Sequence, residues 1–112
     1  MIVKVREISN SEREYWDREI EHFEFVHPLN AYGWGQVRSV DGWSPVYLVA
    51  ECEGKFCGAM MILKKKIPFT PFSILYSPRG PVWNYDDVDT LRALIDKAKE
   101  IALINNAIFL RV

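Results

Sequence analysis

The stretch Phe72-Ser73-Ile74-Leu75-Tyr76-Ser77-Pro78-Arg79-Gly80-Pro81-Val82-Trp83 constrains this chain more than any other. Phe72 to Tyr76 reads as a buried strand. Beyond it, two prolines bracket an arginine and a glycine. Proline fixes φ and carries no N–H, while glycine opens the backbone to positive φ. The segment is therefore a stiff turn that stops the strand and holds Arg79 in place. A helix follows closely, so the unit is strand, rigid turn, helix. In open α/β sheets, ligands sit beyond the carboxyl ends of strands. Read locally, the same segment serves equally well as a plain loop that ends a strand.

A chain of 112 residues suits one domain with a real core. Its balance of apolar and charged residues is that of an ordinary globular protein, and four tryptophans without any low-complexity run argue for an ordered fold. A net charge of −1 argues against a module devoted to gripping nucleic acid. No apolar run is long enough for a transmembrane segment, and Met1 to Arg6 lacks a signal-peptide pattern, so a cytoplasmic location is expected. Cys52 and Cys57 are too few for a disulfide framework or a four-ligand zinc site, and both are expected to be reduced and buried. Neither His22 nor His27 has a partner at metal or catalytic spacing, so no metal is expected.

In chain order, Ile2 to Arg6 reads as a short strand. Ser11 and Glu14 have capping-box spacing, and Trp16, Ile20 and Phe23 place an amphipathic helix over 12–24. His27-Pro28 breaks it, and a second helix runs from Leu29 to about Ser39. Gly33 and Gly35 weaken that helix by roughly 1 kcal/mol each, which a close approach to another group would explain. Val46 to Ala50 is a continuous apolar run, as in a central strand covered on both faces. Glu53-Gly54-Lys55 turns the chain, Phe56 to Leu63 returns, and Lys64-Lys65-Lys66 caps the end of that strand. Asp86 or Asp87 caps a helix whose stripe is Leu91, Leu94, Ile95, Ala98, Ile101 and Ala102. Asn105-Asn106 ends it, and Ala107 to Val112 is a final strand.

Strand, two helices, a three-strand antiparallel run, helix and strand is the opening order of the acetyltransferase-like (GNAT) fold. The expected class is thus α+β, with a mixed, mostly antiparallel sheet and flanking helices. Residues 1–112 would form a single partial domain. Particular residues then resemble the FemABX family. They are Leu29 to Arg38 around Trp34, Tyr47-Leu48-Val49, Gly54-Lys55, Leu75 to Val82, Asp87-Val88-Asp89 and Phe109-Leu110-Arg111. The Tyr-x-Pro-Arg-Gly-Pro-Val segment is the most specific of them.

The resemblance implies a non-ribosomal peptidyltransferase of cell-wall synthesis. Such enzymes move an amino acid from aminoacyl-tRNA to the stem-peptide amine of a UDP-linked or lipid-linked muropeptide. The matched region corresponds to the first half of the first of two GNAT-like domains, and Val112 precedes an Asp-Pro step common in the family. No catalytic residue can therefore be carried over, and the chain alone is expected to be inactive. The candidate substrate-binding residues are Arg38, Arg79 and Tyr76. Arg38 matches the basic residue that meets substrate phosphates, a task suited to the planar guanidinium fork. Arg79 also reads as the anchor of its turn, and Tyr76 as a core aromatic with a satisfied hydroxyl.

Two other functions compete. An acyl-CoA-dependent enzyme would cradle a pyrophosphate on backbone N–H groups, but Pro78 and Pro81 remove two donors from the corresponding loop. No CoA or other cofactor is expected, the donor aminoacyl-tRNA being implied by the resemblance. A non-catalytic interaction module would use the half-fold to bind a partner. If the FemABX resemblance holds, the terminal strand, with Ile108-Phe109-Leu110 protected only by Arg111, is expected to promote self-association by edge pairing or by exchange of the terminal element.

Overall fold

The computed structural model describes residues 2–23 and 26–111. Strand β1 (Val3–Ile8) leads through a 3-10 turn at Asn10–Glu12 into helix α1 (Arg13–Ile20). A second 3-10 turn at Pro28–Asn30 precedes α2 (Tyr32–Ser39). Then follow β2 (Ser44–Cys52), β3 (Lys55–Lys66), β4 (Ser73–Tyr76), β5 (Val82–Trp83), α3 (Val88–Ile104) and β6 (Ala107–Arg111). The sheet runs β1-β2-β3-β4-β6, with β5 pairing on β3 beyond β4. All pairings are antiparallel except β4 with β6, which is parallel. This is the mixed, mostly antiparallel α+β sheet that the element order predicts.

Alternation along β2 and β3 sends successive side chains to opposite faces. Tyr47, Val49, Ala59, Met61 and Leu63 meet Trp16, Ile20 and Tyr32 from α1 and α2. Leu48, Ala50, Met60 and Ile62 meet Leu94 and Ala98 from α3. The continuous apolar run at Val46–Ala50 is thus a strand covered on both sides.

Several local expectations are corrected. The Ser11/Glu14 capping box does not form, because Ser11 lies inside the 3-10 turn and α1 begins at Arg13 without a side-chain cap. Helix α1 ends at Ile20, short of the expected 24, and Glu24 lies outside the described residues. The working capping box is at His27: Leu29 N donates to His27 Nδ1 at 3.1 Å, and His27 N donates to Asn30 Oδ1 at 2.8 Å. Leu29 belongs to that turn, with α2 starting only at Tyr32. Lys64, Lys65 and Lys66 do not cap β3 but pair within it against β4, since the strand runs on to Lys66. Cys52 and Cys57 are unpaired, as expected, but only half-buried, because both lie near the β2–β3 turn. Gly35 does mark a close approach: a Cβ there would meet Pro45 Cβ at 2.9 Å and also the Tyr47 hydroxyl.

Candidate functional site

The stiff turn is a large bulge. Leu63 on β3 pairs with Tyr76, and Ala59 pairs with Val82. Three β3 residues, Met60 to Ile62, therefore oppose the five residues Ser77 to Pro81, so the surplus backbone must leave the sheet. The return pairing at Val82–Trp83 escaped sequence reasoning, because two strand residues after a proline carry no periodic signal.

Within the bulge, Gly80 N donates to Ser77 O at 3.1 Å, with Arg79 at φ 60 and Gly80 at φ 68. With Pro78 second and a positive φ third, this is the pattern of a type II turn. Glycine is usual at the third position, yet here it is an arginine, a costly conformation of the kind that clusters at functional sites. Two contacts hold the turn. Asn30, buried, donates from Nδ2 to Pro78 O at 3.5 Å, and Ser77 N donates to Arg111 O on β6 at 2.8 Å.

Beyond Tyr76, paired with Arg111 on β6, β4 gives way to the bulge. A cleft of about 440 Å³ opens there. Arg79, exposed, stands on one side and Arg111 on the other, with Tyr76, Trp83 and Tyr85 supplying aromatic surface. No Asp or Glu lines it among the described residues, so its lining combines two guanidinium groups with aromatic rings. Ser77 also lines it, 1% exposed, and its Oγ is a buried polar atom without a hydrogen-bond partner among the described residues. A buried hydroxyl without a partner is uncommon and costly, and this one sits in the wall of the cleft.

The three predicted site residues divide between two places. Tyr76 and Arg79 share the cleft. Tyr76 is half-buried and packs its ring against the aromatic core, so it serves both as core and as wall. Arg38 lies elsewhere, in the last turn of α2. Its Nη1 is 3.0 Å from Asp41 Oδ2, and its guanidinium stands 5.8 Å over the Trp34 ring. Lys65 reaches the same corner, with Nζ 3.4 Å from Asp41 O and 5.5 Å over Trp43. Sequence reasoning missed Arg111, Ser77 and Trp83 as cleft residues. Arg111 and Ser77 both lie in segments that carry the resemblance, but nothing in the sequence marks either as facing a common site.

Helix α3 follows β5. Its N-cap is Asp87, whose Oδ1 accepts from Thr90 N at 3.2 Å while Oδ2 accepts from the Thr90 hydroxyl. Asp89 adds a second carboxylate to the first turn. Thr90 also donates to Cys57 Sγ at 3.3 Å, and burial pushes the Cys57 thiol pKa up. No group of three or more His, Cys, Asp or Glu among the described residues is placed to hold a metal ion.

A mixed, mostly antiparallel sheet with helices on both faces, whose one parallel pair is β4 with β6, is the architecture of the acetyltransferase-like fold. A ribosomal-protein-alanine N-acetyltransferase from Brucella melitensis superposes with a TM-score of 0.72 at 12% identity, covering 99% of this chain and 79% of that one. The chain belongs to the FemAB family, whose match extends over residues 9–112. It is 33% identical over 98 residues to the lipid II:glycine glycyltransferase of Staphylococcus aureus, covering 82% of this chain and 23% of that protein. The crystal structure of FemX superposes with a TM-score of 0.81 at 27% identity, covering 93% of this chain and 25% of that one. The chain thus spans about a quarter of the length of the curated relatives it matches.

Proposed function

We propose that this chain binds the peptidoglycan precursor for a cross-bridge aminoacyltransferase of the cytoplasm. The full reaction moves an amino acid from aminoacyl-tRNA to the stem-peptide amine of a UDP-linked or lipid-linked muropeptide. The observation that carries the reading is the cleft at the ends of β4 and β6, with Arg79 and Arg111 and, among the described residues, no Asp or Glu in its lining. Muropeptides bear peptide carboxylates and carrier phosphates, both of which guanidinium forks bind in a bidentate manner. Arg38 is the proposed phosphate contact, exchanging its exposed partner Asp41 for the ligand. Arg79 and Tyr76 would line the path of the peptide.

We assign no catalytic residue, and the chain alone is proposed to be inactive. Acyl transfer to an amine needs proton removal and an oxyanion site. An acyl-CoA donor is disfavoured by Asp87 and Asp89. They put negative charge at the N-terminus of α3, where a pyrophosphate would seek the helix dipole. The outer edge of β6 is unpaired among the described residues and bears Ile108, so self-association through it belongs to the proposal.

Calorimetry with a UDP-linked muropeptide tests the reading. Binding is expected for the chain, and Arg38→Ala should weaken it by roughly 1.5–3 kcal/mol with an unchanged melt. Acetyl-CoA should give no heat. Equal affinity in the Arg38→Ala variant would remove that residue from the site, and absence of muropeptide binding would overturn the binding role itself.

A further inference from the structure

At the end of β4 opposite the cleft, the β3–β4 connection forms a tight tip closed by four hydrogen bonds. Ile67 N donates to Phe72 O at 2.9 Å, and Ile67 O accepts both Thr70 N at 3.3 Å and Thr70 Oγ1 at 2.9 Å. Phe72 N donates back to Thr70 Oγ1 at 3.2 Å. Between Pro68 and Thr70 stands Phe69, fully exposed and held at φ 64. A bulky residue in the left-handed region is strained, and solvent gives an exposed aromatic ring nothing in return. The same end carries Leu103, 81% exposed, and Ile104, 72% exposed, from the last turn of α3. They are tied to this end because Ser73 donates from N to Asn106 O at 3.2 Å and from Oγ to Asn105 O at 2.7 Å.

Behind these apolar side chains lie Lys64, Lys65 and Lys66. Lys64 donates to the Asn105 side-chain oxygen at 3.0 Å, and Lys65 to the Asp41 backbone carbonyl, neither of which neutralises the charge. Residues 54–85 contain Lys55, Lys64, Lys65, Lys66 and Arg79 but no Asp or Glu, within a chain whose net charge is −1. Of these, Lys64, Lys65 and Lys66 stand at this end of the sheet, beside a rigid apolar tip, whereas Lys55 lies at the far end of β3 and Arg79 in the cleft.

We propose that this tip docks on an anionic phospholipid bilayer, with Phe69, Leu103 and Ile104 entering the headgroup boundary and the three lysines meeting lipid phosphates. Rings and aliphatic chains at interfacial depth, with lysines behind them, fit such a surface by charge and by polarity. The chain then lies on the membrane; no helix among the described residues is long and apolar enough to cross it. The inference does not use the cleft, and its one link to the precursor-binding reading is Lys65, which shares the Asp41 corner with Arg38.

Co-sedimentation of the full 112-residue chain with phosphatidylglycerol-containing vesicles tests it, against vesicles of phosphatidylcholine alone. Binding is expected only to the anionic vesicles and should weaken as salt rises. Phe69→Asn relieves the left-handed strain, so the variant should fold, and it should bind about tenfold more weakly. Replacing Lys64, Lys65 and Lys66 with Gln should weaken binding about fivefold per charge removed. Equal binding to both vesicle types, or unchanged binding in a Phe69→Asn variant that melts normally, would overturn the proposal. So would a Phe69-dependent dimer in light scattering without vesicle binding, because the tip would then be an interface with a second copy.

Discussion

On the side of α1 and α2 the sheet buries rings that are also hydrogen-bonded, whereas on the side of α3 it buries aliphatic chains that only pack. Trp16 donates from Nε1 to Asn30 O at 2.8 Å and packs edge-on to Tyr47 at 5.4 Å. Tyr47 stacks on Tyr32 at 3.7 Å and donates its hydroxyl to Tyr32 O at 2.8 Å, and burial pushes its pKa up. Asp17 accepts from Tyr32 N at 2.8 Å, joining α1 to the start of α2. On the other face, the core of Leu48, Met60, Ile62, Leu75 and Leu94 is aliphatic, and its hydrogen bonds, at Thr90 and Asn105, sit at the two ends of α3. Directional contacts specify one arrangement and tolerate little change, while aliphatic packing tolerates exchanges that conserve volume. The aromatic face also supplies the contacts that place the bulge, through Asn30 and Tyr76.

The sharpest way to break this contrast is a matched pair of substitutions. Trp16→Ala should cost about 3–5 kcal/mol. Leu94→Met, equally buried on the other face, should cost less than about 1.5 kcal/mol. Chemical denaturation of both variants gives the comparison directly, and equal losses would mean that the faces are energetically alike.

A smaller effect is expected at the bulge that joins the two faces. Gly80 stands at φ 68, which a β-branched residue resists. Gly80→Val should destabilise by about 1–3 kcal/mol, whereas Gly80→Asn should be milder because asparagine tolerates this conformation. Thermal melts that rank the two variants the other way would show that the bulge relaxes freely.

The smallest effect concerns a polar cluster at the rim of the aromatic face. Arg6 binds Glu12 at 2.7 Å and Glu51 at 2.7 Å, and Tyr15 donates to Glu51 at 2.8 Å. Hydrogen bonds from the Arg6 guanidinium hold both carboxyls below their ordinary value of 4.5. Burial, then the bond to Glu51, pushes the Tyr15 pKa up. A carboxyl with a lowered folded pKa stabilises fully above its unfolded value and loses that contribution as pH falls through the folded one. The contribution should therefore be intact at pH 7 and fade below about 4.5. Arg6→Met should flatten the fall in Tm between pH 7 and pH 3. An unchanged acid profile would show that the cluster adds nothing to stability.

Much of the architecture was legible from residue order alone. The covered strand at Val46–Ala50, the helix after Asp87 and the stiff turn at Pro78–Pro81 all follow from periodicity, capping and proline or glycine chemistry, which act within a few residues. The Phe72–Trp83 segment was recognisable for the same reason. Register was not. That five residues stand against three across the bulge depends on where β5 finds β3, a pairing between positions far apart in sequence. The cleft depends on it too, since Arg79 and Arg111 are brought together only by the parallel pairing of β4 with β6. Arg38 has the right residue type, but tertiary packing sends it to the corner of Trp34 and Asp41 and away from that cleft. Local sequence determines which elements form because backbone preferences are short-range. Which side chains share a site is decided by strand pairing and by burial of both sheet faces, and these exist only in the folded chain.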